Sequence, residues 1–309
     1  MTLQRTVLFD APGPRARRRI LIGSVIGALF AAAVLAFLLV RLGEKGQLDS
    51  GLWLRALDAN AWTNYYVPGL LATLRSAAVA IVGAMVFGLL FGIGRLSHLA
   101  PVRIVCGLVV EFFRAVPVLL MMIFFWLLLA SNDVPDSSFW GVVIGLVLYN
   151  GSVVAELVRS GVHGLPSGQR EAALAIGLTR GQSLRSVEIP QAIVAMLPAL
   201  VSQLVVVLKD SALGQIIAYG ELLSFARRLG SGQGNILQAL AIAALIFIVL
   251  NWALTRLAEY LAGHLRRTAG RTGTQGAGLE TGIGLGATGI VPAGAGAGAG
   301  EPNPPGRWG

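Results

Sequence analysis

Arg170-Glu171-Ala-Ala-Leu-Ala-Ile-Gly177, continuing to Val187-Glu-Ile-Pro190, is a polar stretch set inside a very apolar chain. It belongs to a segment of thirty residues, 159–188, that separates two hydrophobic runs. Helices in a bundle are ordinarily joined by about 2–8 residues, so a connection of this length needs another reason to exist. Its composition favours helix and carries a glycine break at Gly177. The segment therefore reads as an ordered surface element, of the size a partner protein docks on.

Outward from that loop the chain is 55% hydrophobic and only 13% charged, against roughly 25% charged in soluble domains. With a mean hydropathy of +0.73, this places it among integral membrane proteins. The formal net charge of +9 does not point to nucleic acid, because no basic stripe is interleaved with aromatics. Arginines that hold loops on the cytoplasmic side account for it. Cys106 stands alone in an apolar run, which excludes a disulfide framework. His98, His163 and His264 are scattered without spaced partners, so neither a metal, a cofactor nor catalysis is expected.

A spanning helix needs about 20 apolar residues, and six segments qualify: 20–40, 69–93, 104–130, 139–158, 190–208 and 236–257. These runs are too long for strands and lack period-two alternation, and backbone in lipid must satisfy its own hydrogen bonds. The expected fold is an all-α polytopic helical bundle with five core spans and an added N-terminal one. The first run follows Arg15, Arg17, Arg18 and Arg19; it is longer than a signal-peptide core, so it reads as an uncleaved span. Residues 1–19 then form a cytoplasmic N-terminal tail. Residues 41–66 form an external loop with an interfacial helix around Trp53, Leu54, Leu57 and Trp62, and tryptophans suit the headgroup belt. Residues 67–260 make the transmembrane domain, and 261–309, Gly/Ala-rich at the end, a disordered cytoplasmic tail.

Orientation follows from charge. With the N-terminus inside, sixteen of the 24 lysines and arginines fall on the cytoplasmic side and six outside, with Arg75 and Arg114 in or near spans. That positive-inside bias puts the polar loop in the cytoplasm. Within it, residues 170–177 read as a short helix stopping at Gly177. Residues 178–187 read as a second one, with Pro190 in the first turn of the next span, where a missing N–H does no harm. On the residues alone, docking a partner and resting on the bilayer surface are both open.

The spacing itself carries a resemblance. Glu171-Ala-Ala173, three residues, Gly177, nine residues, Val187, one residue, Ile189-Pro190 resembles the EAA loop of bacterial ABC importer permease subunits, with Val187 for isoleucine and Ile189 for leucine. The flanks Tyr149-Asn-Gly-Ser-Val-Val-Ala-Glu156-Leu-Val-Arg159, Glu111-Phe-Phe-Arg114-Ala-Val-Pro117 and Leu208-Lys209-Asp210-Ser211 are similar to the polar amino-acid branch of that family. The stretch after Phe113 is closer to actinobacterial glutamate-type permeases, although Met121 stands where a glutamine is common in the branch.

The resemblance covers residues 69–260. It implies the type I importer permease fold and a subunit that moves a polar amino acid, glutamate favoured, without hydrolysing anything. It implies as partners a cytoplasmic ABC ATPase dimer, a second permease subunit, like or unlike, and an extracytoplasmic amino-acid-binding protein. Glu171, Ala172, Ala173, Gly177, Val187, Ile189 and Pro190 would couple to the ATPase, with Glu171 as polar anchor and Gly177 as the bend. In agreement, the chain has no Gly-x-x-x-x-Gly-Lys-Ser/Thr phosphate loop of its own.

The same resemblance marks Glu111, Arg114, Tyr149, Glu156, Lys209, Asp210 and Ser211 as substrate-pathway residues. Each charged group also has a plainer reading. Glu111 and Arg114 can pair at i, i+3, as can Glu156 and Arg159, and Lys209 can snorkel with Asp210 neutralising it. Rival functions are another cargo amino acid, a non-ABC channel or scaffold, and an intramembrane protease. The last lacks any Ser/His or paired-aspartate constellation in the spans.

Overall fold

The computed structural model describes residues 13–274, and these are helical almost throughout. In chain order the helices are α1 (Pro14–Glu44), α2 (Ser50–Ala56), α3 (Ala59–Ala61), α4 (Val67–Gly94), α5 (Ala100–Ala115), α6 (Val118–Ala130), α7 (Ser137–His163), α8 (Ser167–Ala175), α9 (Arg180–Ser183), α10 (Ile189–Asp210), α11 (Leu222–Gln233) and α12 (Ile236–Thr274). Five helical segments are long and apolar enough to cross a membrane, or six if the bent pair α5 and α6 counts as one span. The chain divides into a membrane unit through Arg266 and a second unit from Arg267, of which residues 267–274 extend α12. The tail expected over 261–309 therefore begins in helix, and its remainder, 275–309, lies outside the described residues.

Helix α7 is the hub, with 61% of its apolar window buried against 28% or less in every other crossing segment. Small residues let its neighbours come close, which is how helices associate where no hydrophobic force drives them together. Gly88 and Gly92 of α4 face Val154 and Val158 of α7; a Cβ on Gly88 would stand 2.9 Å from the Gly151 carbonyl oxygen. Against α6, a Cβ on Gly145 would stand 3.0 Å from the Met122 amide nitrogen. Asn150, fully buried on α7, accepts a 2.6 Å hydrogen bond from Gln203 of α10. Among its described residues helix α1 buries none, in keeping with a sequence apolar all round, which lipid can solvate on every side.

Twenty residues separate Arg75 from Arg95 on α4, about 30 Å at 1.5 Å per residue, the thickness of the hydrocarbon layer. Arg75 is exposed, whereas the Arg95 side chain is largely enclosed by its ion pairs. The Arg75 guanidinium sits 4.4 Å from the centroid of the Phe139 ring.

Prolines decide where the expected spans are corrected. The run 104–130, expected as one span, is two helices at 99° to each other. Pro117 offers no N–H and forces Val116 out of the helical region, to φ −83° and ψ 127°. The fifth span, expected to begin at Pro190, is helical from Arg180. The second loop helix is only the four residues of α9, followed by a π-turn over Leu184–Glu188 that runs into α10. In that turn the Ile189 N–H donates to the Leu184 carbonyl, five residues back. The extra residue takes up the crowding a proline imposes on the preceding turn.

The same device precedes Pro68, where the Val67 N–H donates to the Trp62 carbonyl. The loop expected over 41–66 is thus already helical from Ala59 and joins α4 without a break.

A second core closes the end of the bundle away from the 159–188 loop. Tyr66, Leu222, Ala226 and Leu229 pack with Ala239, Ile242 and Ala243 of α12. Glu221, fully buried, caps α11 by accepting from the Leu223 and Ser224 amides at 2.8 and 2.7 Å. Burial pushes its carboxyl above the ordinary carboxylate range.

Candidate functional site

The loop folds as two helical pieces about a left-handed glycine. Helix α8 ends in a Schellman motif: the Gly177 N–H donates to the Leu174 carbonyl at 3.0 Å and the Leu178 N–H to the Ala173 carbonyl at 3.1 Å. Gly177 takes φ +89°, which glycine adopts freely and other residues resist. Two residues on, Thr179 and Gln182 form a capping box that starts α9. The chain therefore turns sharply at Gly177, between two properly terminated helices.

Two contacts hold α8 to the base of α10. The Arg170 guanidinium donates to the Glu188 carboxylate at 2.9 and 3.1 Å, and Gln191 donates to Gln169 at 3.1 Å. Glu188 is 4% exposed and also accepts from the Ser183 hydroxyl. A buried carboxylate is tolerated only with such partners. The salt bridge thus ties α8 to the base of α10.

Of the loop residues singled out in the sequence, Glu171 and Ala172 are exposed on α8 while Ala173 is buried. Val187 and Ile189 are half-buried in the joint and Pro190 is exposed. Among the expected apolar face, Leu178 and Leu184 turn partly inward, but Leu174 and Ile176 do not. Ile176, at 79%, is the most exposed large apolar side chain among the described residues. Ala172, four residues before it and exposed as well, is its neighbour on the helix surface.

Close to this loop the structure gathers Glu111, Arg114 and Glu156 into one ion network with Arg95 and Arg159. Arg95, at the end of α4, bonds Glu156 at 2.7 Å and Glu111 at 3.1 Å. Arg114 reaches Glu111 at 3.3 Å and Glu156 at 3.7 Å, and Arg159 bonds Glu156 from the next turn of α7. The two local pairs expected from spacing do form. They are also cross-linked by Arg95, which ties α4, α5 and α7 together.

Nothing in the sequence signalled that role, because Arg95 lies 61 residues from Glu156. The Asn150–Gln203 bond was missed for the same reason, though an asparagine and a glutamine within spans are a visible hint. Tyr149 is half-buried on α7. Lys209, Asp210 and Ser211 lie at the far end of α10, about 30 Å along the helix from Ile189. They share no site with the network. No ion pair joins Lys209 to Asp210 among the described residues, and Ser211 donates to the Leu208 carbonyl at 2.6 Å.

Comparison with known proteins meets this geometry. A family described as binding-protein-dependent transport system inner membrane component matches residues 84–267. The glutamate transport system permease protein GluD of Corynebacterium glutamicum is 47% identical over 233 residues, 74% of this chain and 85% of that protein. The glutamate/aspartate import permease protein GltK of Escherichia coli O157:H7 is 27% identical over 213 residues, 66% of this chain and 94% of its own length. Among solved structures, an amino acid ABC transporter crystallised with histidines superposes with a TM-score of 0.61 at 27% identity, covering 66% of this chain and 95% of that one. The chain belongs to the family of binding-protein-dependent transport system inner membrane components and has the fold of a type I ABC importer permease.

Proposed function

We propose that this chain is the translocating subunit of an ATP-driven amino-acid importer with glutamate as its cargo, and that the 159–189 loop couples it to a separate ATPase. Supporting the cargo is 47% identity to a glutamate transport system permease across 74% of the chain. Supporting the coupling is the exposed patch of Glu171, Ala172 and Ile176, carried on a helix whose other face is tied to α10 through Arg170 and Glu188. The subunit hydrolyses nothing itself. It pairs with a second permease subunit, receives cargo from an extracytoplasmic binding protein, and keeps its N-terminus and the loop in the cytoplasm.

Within this reading the path lies at the interface of the two permease subunits, lined by polar faces of the third to fifth spans, with Tyr149 among them. Glu111, Arg114 and Glu156 stand toward its inner mouth and Lys209–Ser211 toward its outer end. The test is reconstitution with the cognate ATPase and binding protein in proteoliposomes. Glutamate uptake should require ATP. Ile176→Asp should release the ATPase from the purified complex while the permease still inserts, since so exposed a side chain contributes little to the fold. Uptake without ATP, or a stable complex with the Asp variant, refutes the coupling; preference for a different amino acid refutes the cargo alone.

A further inference from the structure

A cleft of about 210 Å³ opens between the α4–α5 connection, the end of α7 and the loop. Its lining includes Arg95, Arg103, Arg170 and Arg180 against a single carboxylate, Glu188. Two of these cations are already engaged, Arg95 by Glu111 and Glu156 and Arg170 by Glu188. Arg103 and Arg180 form no ion pair among the described residues, and Arg103 makes only a long 3.4 Å contact to the Ser97 carbonyl. The cleft is therefore cationic beyond its own compensation, with two forked donors turned to one space.

Its depth is informative. Arg95 follows directly on the apolar segment that ends at Gly94, and the end of a span is the level of the lipid phosphates. Beside it the start of α5 exposes Leu99, Val102 and Val105 at 65%, 40% and 58%, an apolar surface next to the cleft. A soluble anion needs no such surface, whereas the acyl chains of a lipid do.

We propose that Arg103 and Arg180 hold the phosphate of an anionic phospholipid of the cytoplasmic leaflet, with its chains laid along α5. The inference rests on the loop facing the cytoplasm, as the charge bias indicates. Arginine matches phosphate with two parallel N–H donors, and basic pockets between helices on this side of a membrane are suited to anionic headgroups. Such a lipid would bridge α5 and the coupling loop, so bilayer composition would act on the segment that meets the ATPase.

The test is native mass spectrometry of the full-length purified chain, titrated with phosphatidylglycerol, phosphatidylcholine and inorganic phosphate. The wild type should prefer phosphatidylglycerol over phosphatidylcholine, and the preference should drop about fivefold for each arginine lost, hence about twenty-five-fold in R103Q/R180Q. R103K/R180K keeps the charge and should keep most of the preference. R185Q removes one exposed charge outside the cleft and should change nothing. A wild type without preference overturns the site, whether or not the double variant folds. Equal competition by inorganic phosphate at matched concentration reassigns the cleft to a soluble anion, and loss of lipid when the cognate ATPase binds reassigns it to that protein. Either result overturns the lipid site.

Discussion

Gly177 offers the sharpest test of the proposed coupling loop, because its geometry separates backbone strain from crowding. Its φ is +89°, and a Cβ built on it meets no heavy atom within 4 Å. Size therefore carries no penalty there. Backbone conformation does: an L-residue in the left-handed region loses roughly 1–2 kcal/mol, close to a tenfold shift against the closed turn. Asparagine tolerates that region better than alanine, and a β-branched residue worst. The expected order of retained coupling is glycine, asparagine, alanine, valine, although asparagine is larger than alanine. The fold itself should survive, since Arg170–Glu188 and the capping box at Thr179 hold the two pieces independently. The assay is glutamate transported per ATP hydrolysed in proteoliposomes, with melting temperature in detergent as the control. An order that follows side-chain volume, with asparagine worse than alanine, would refute the backbone explanation. Wild-type coupling in the valine variant would refute the role of the Gly177 turn in coupling.

Other outcomes follow from the packing. Gly88→Leu should destabilise the α4–α7 seam by about 1–3 kcal/mol or more through overpacking, read as a lower melting temperature, because the Gly151 carbonyl leaves its Cβ no room; Gly107→Leu, with nothing within 4 Å, should be tolerated. Arg170→Met leaves the Glu188 carboxylate buried with Ser183 as its remaining partner. That should lose about 1.5–3 kcal/mol, and Glu188→Gln in the same chain should recover part of it. Glu221→Ala removes the cap of α11 and should lose about 0.5–2 kcal/mol.

The Glu221 carboxyl is raised by burial, so the folded state holds its proton at a higher pH than the unfolded state does. Its contribution is most favourable below the ordinary carboxyl value, about 4.3, and declines as pH rises toward the raised one. A melting-temperature profile should show that decline, and Glu221→Gln should flatten it. An unchanged slope in the variant would place the dependence elsewhere.

Local chemistry made much of this molecule legible. Spans longer than strands, arginines on one side and a proline after a polar loop are nearest-neighbour properties, and each leaves a mark in composition or period. Gly177 is one such case, since a glycine that stops a helix acts within five residues of itself. The bend at Pro117 was visible as a residue and unread as a hinge: proline forbids the straight helix, but only packing against α7 decides whether the chain kinks or turns through 99°. The helical pieces at the far end, α11 above all, escaped because they are too short and polar to read as spans, although α11 turns Leu222, Ala226 and Leu229 to one side, into a core shared with α12.

By itself, then, the sequence determined a membrane helical bundle, because hydrophobic length needs no partner to be read, while charge bias and motif spacing are what the proposed orientation and docking loop rest on. Tertiary structure alone decided that Arg95 joins two separate carboxylates, that Glu188 rather than Glu171 holds the loop to α10, and that Ile176 is left bare. Those facts depend on which side chains meet across 61 or 18 residues of chain, and electrostatics at 3 Å is settled only once packing has brought them there.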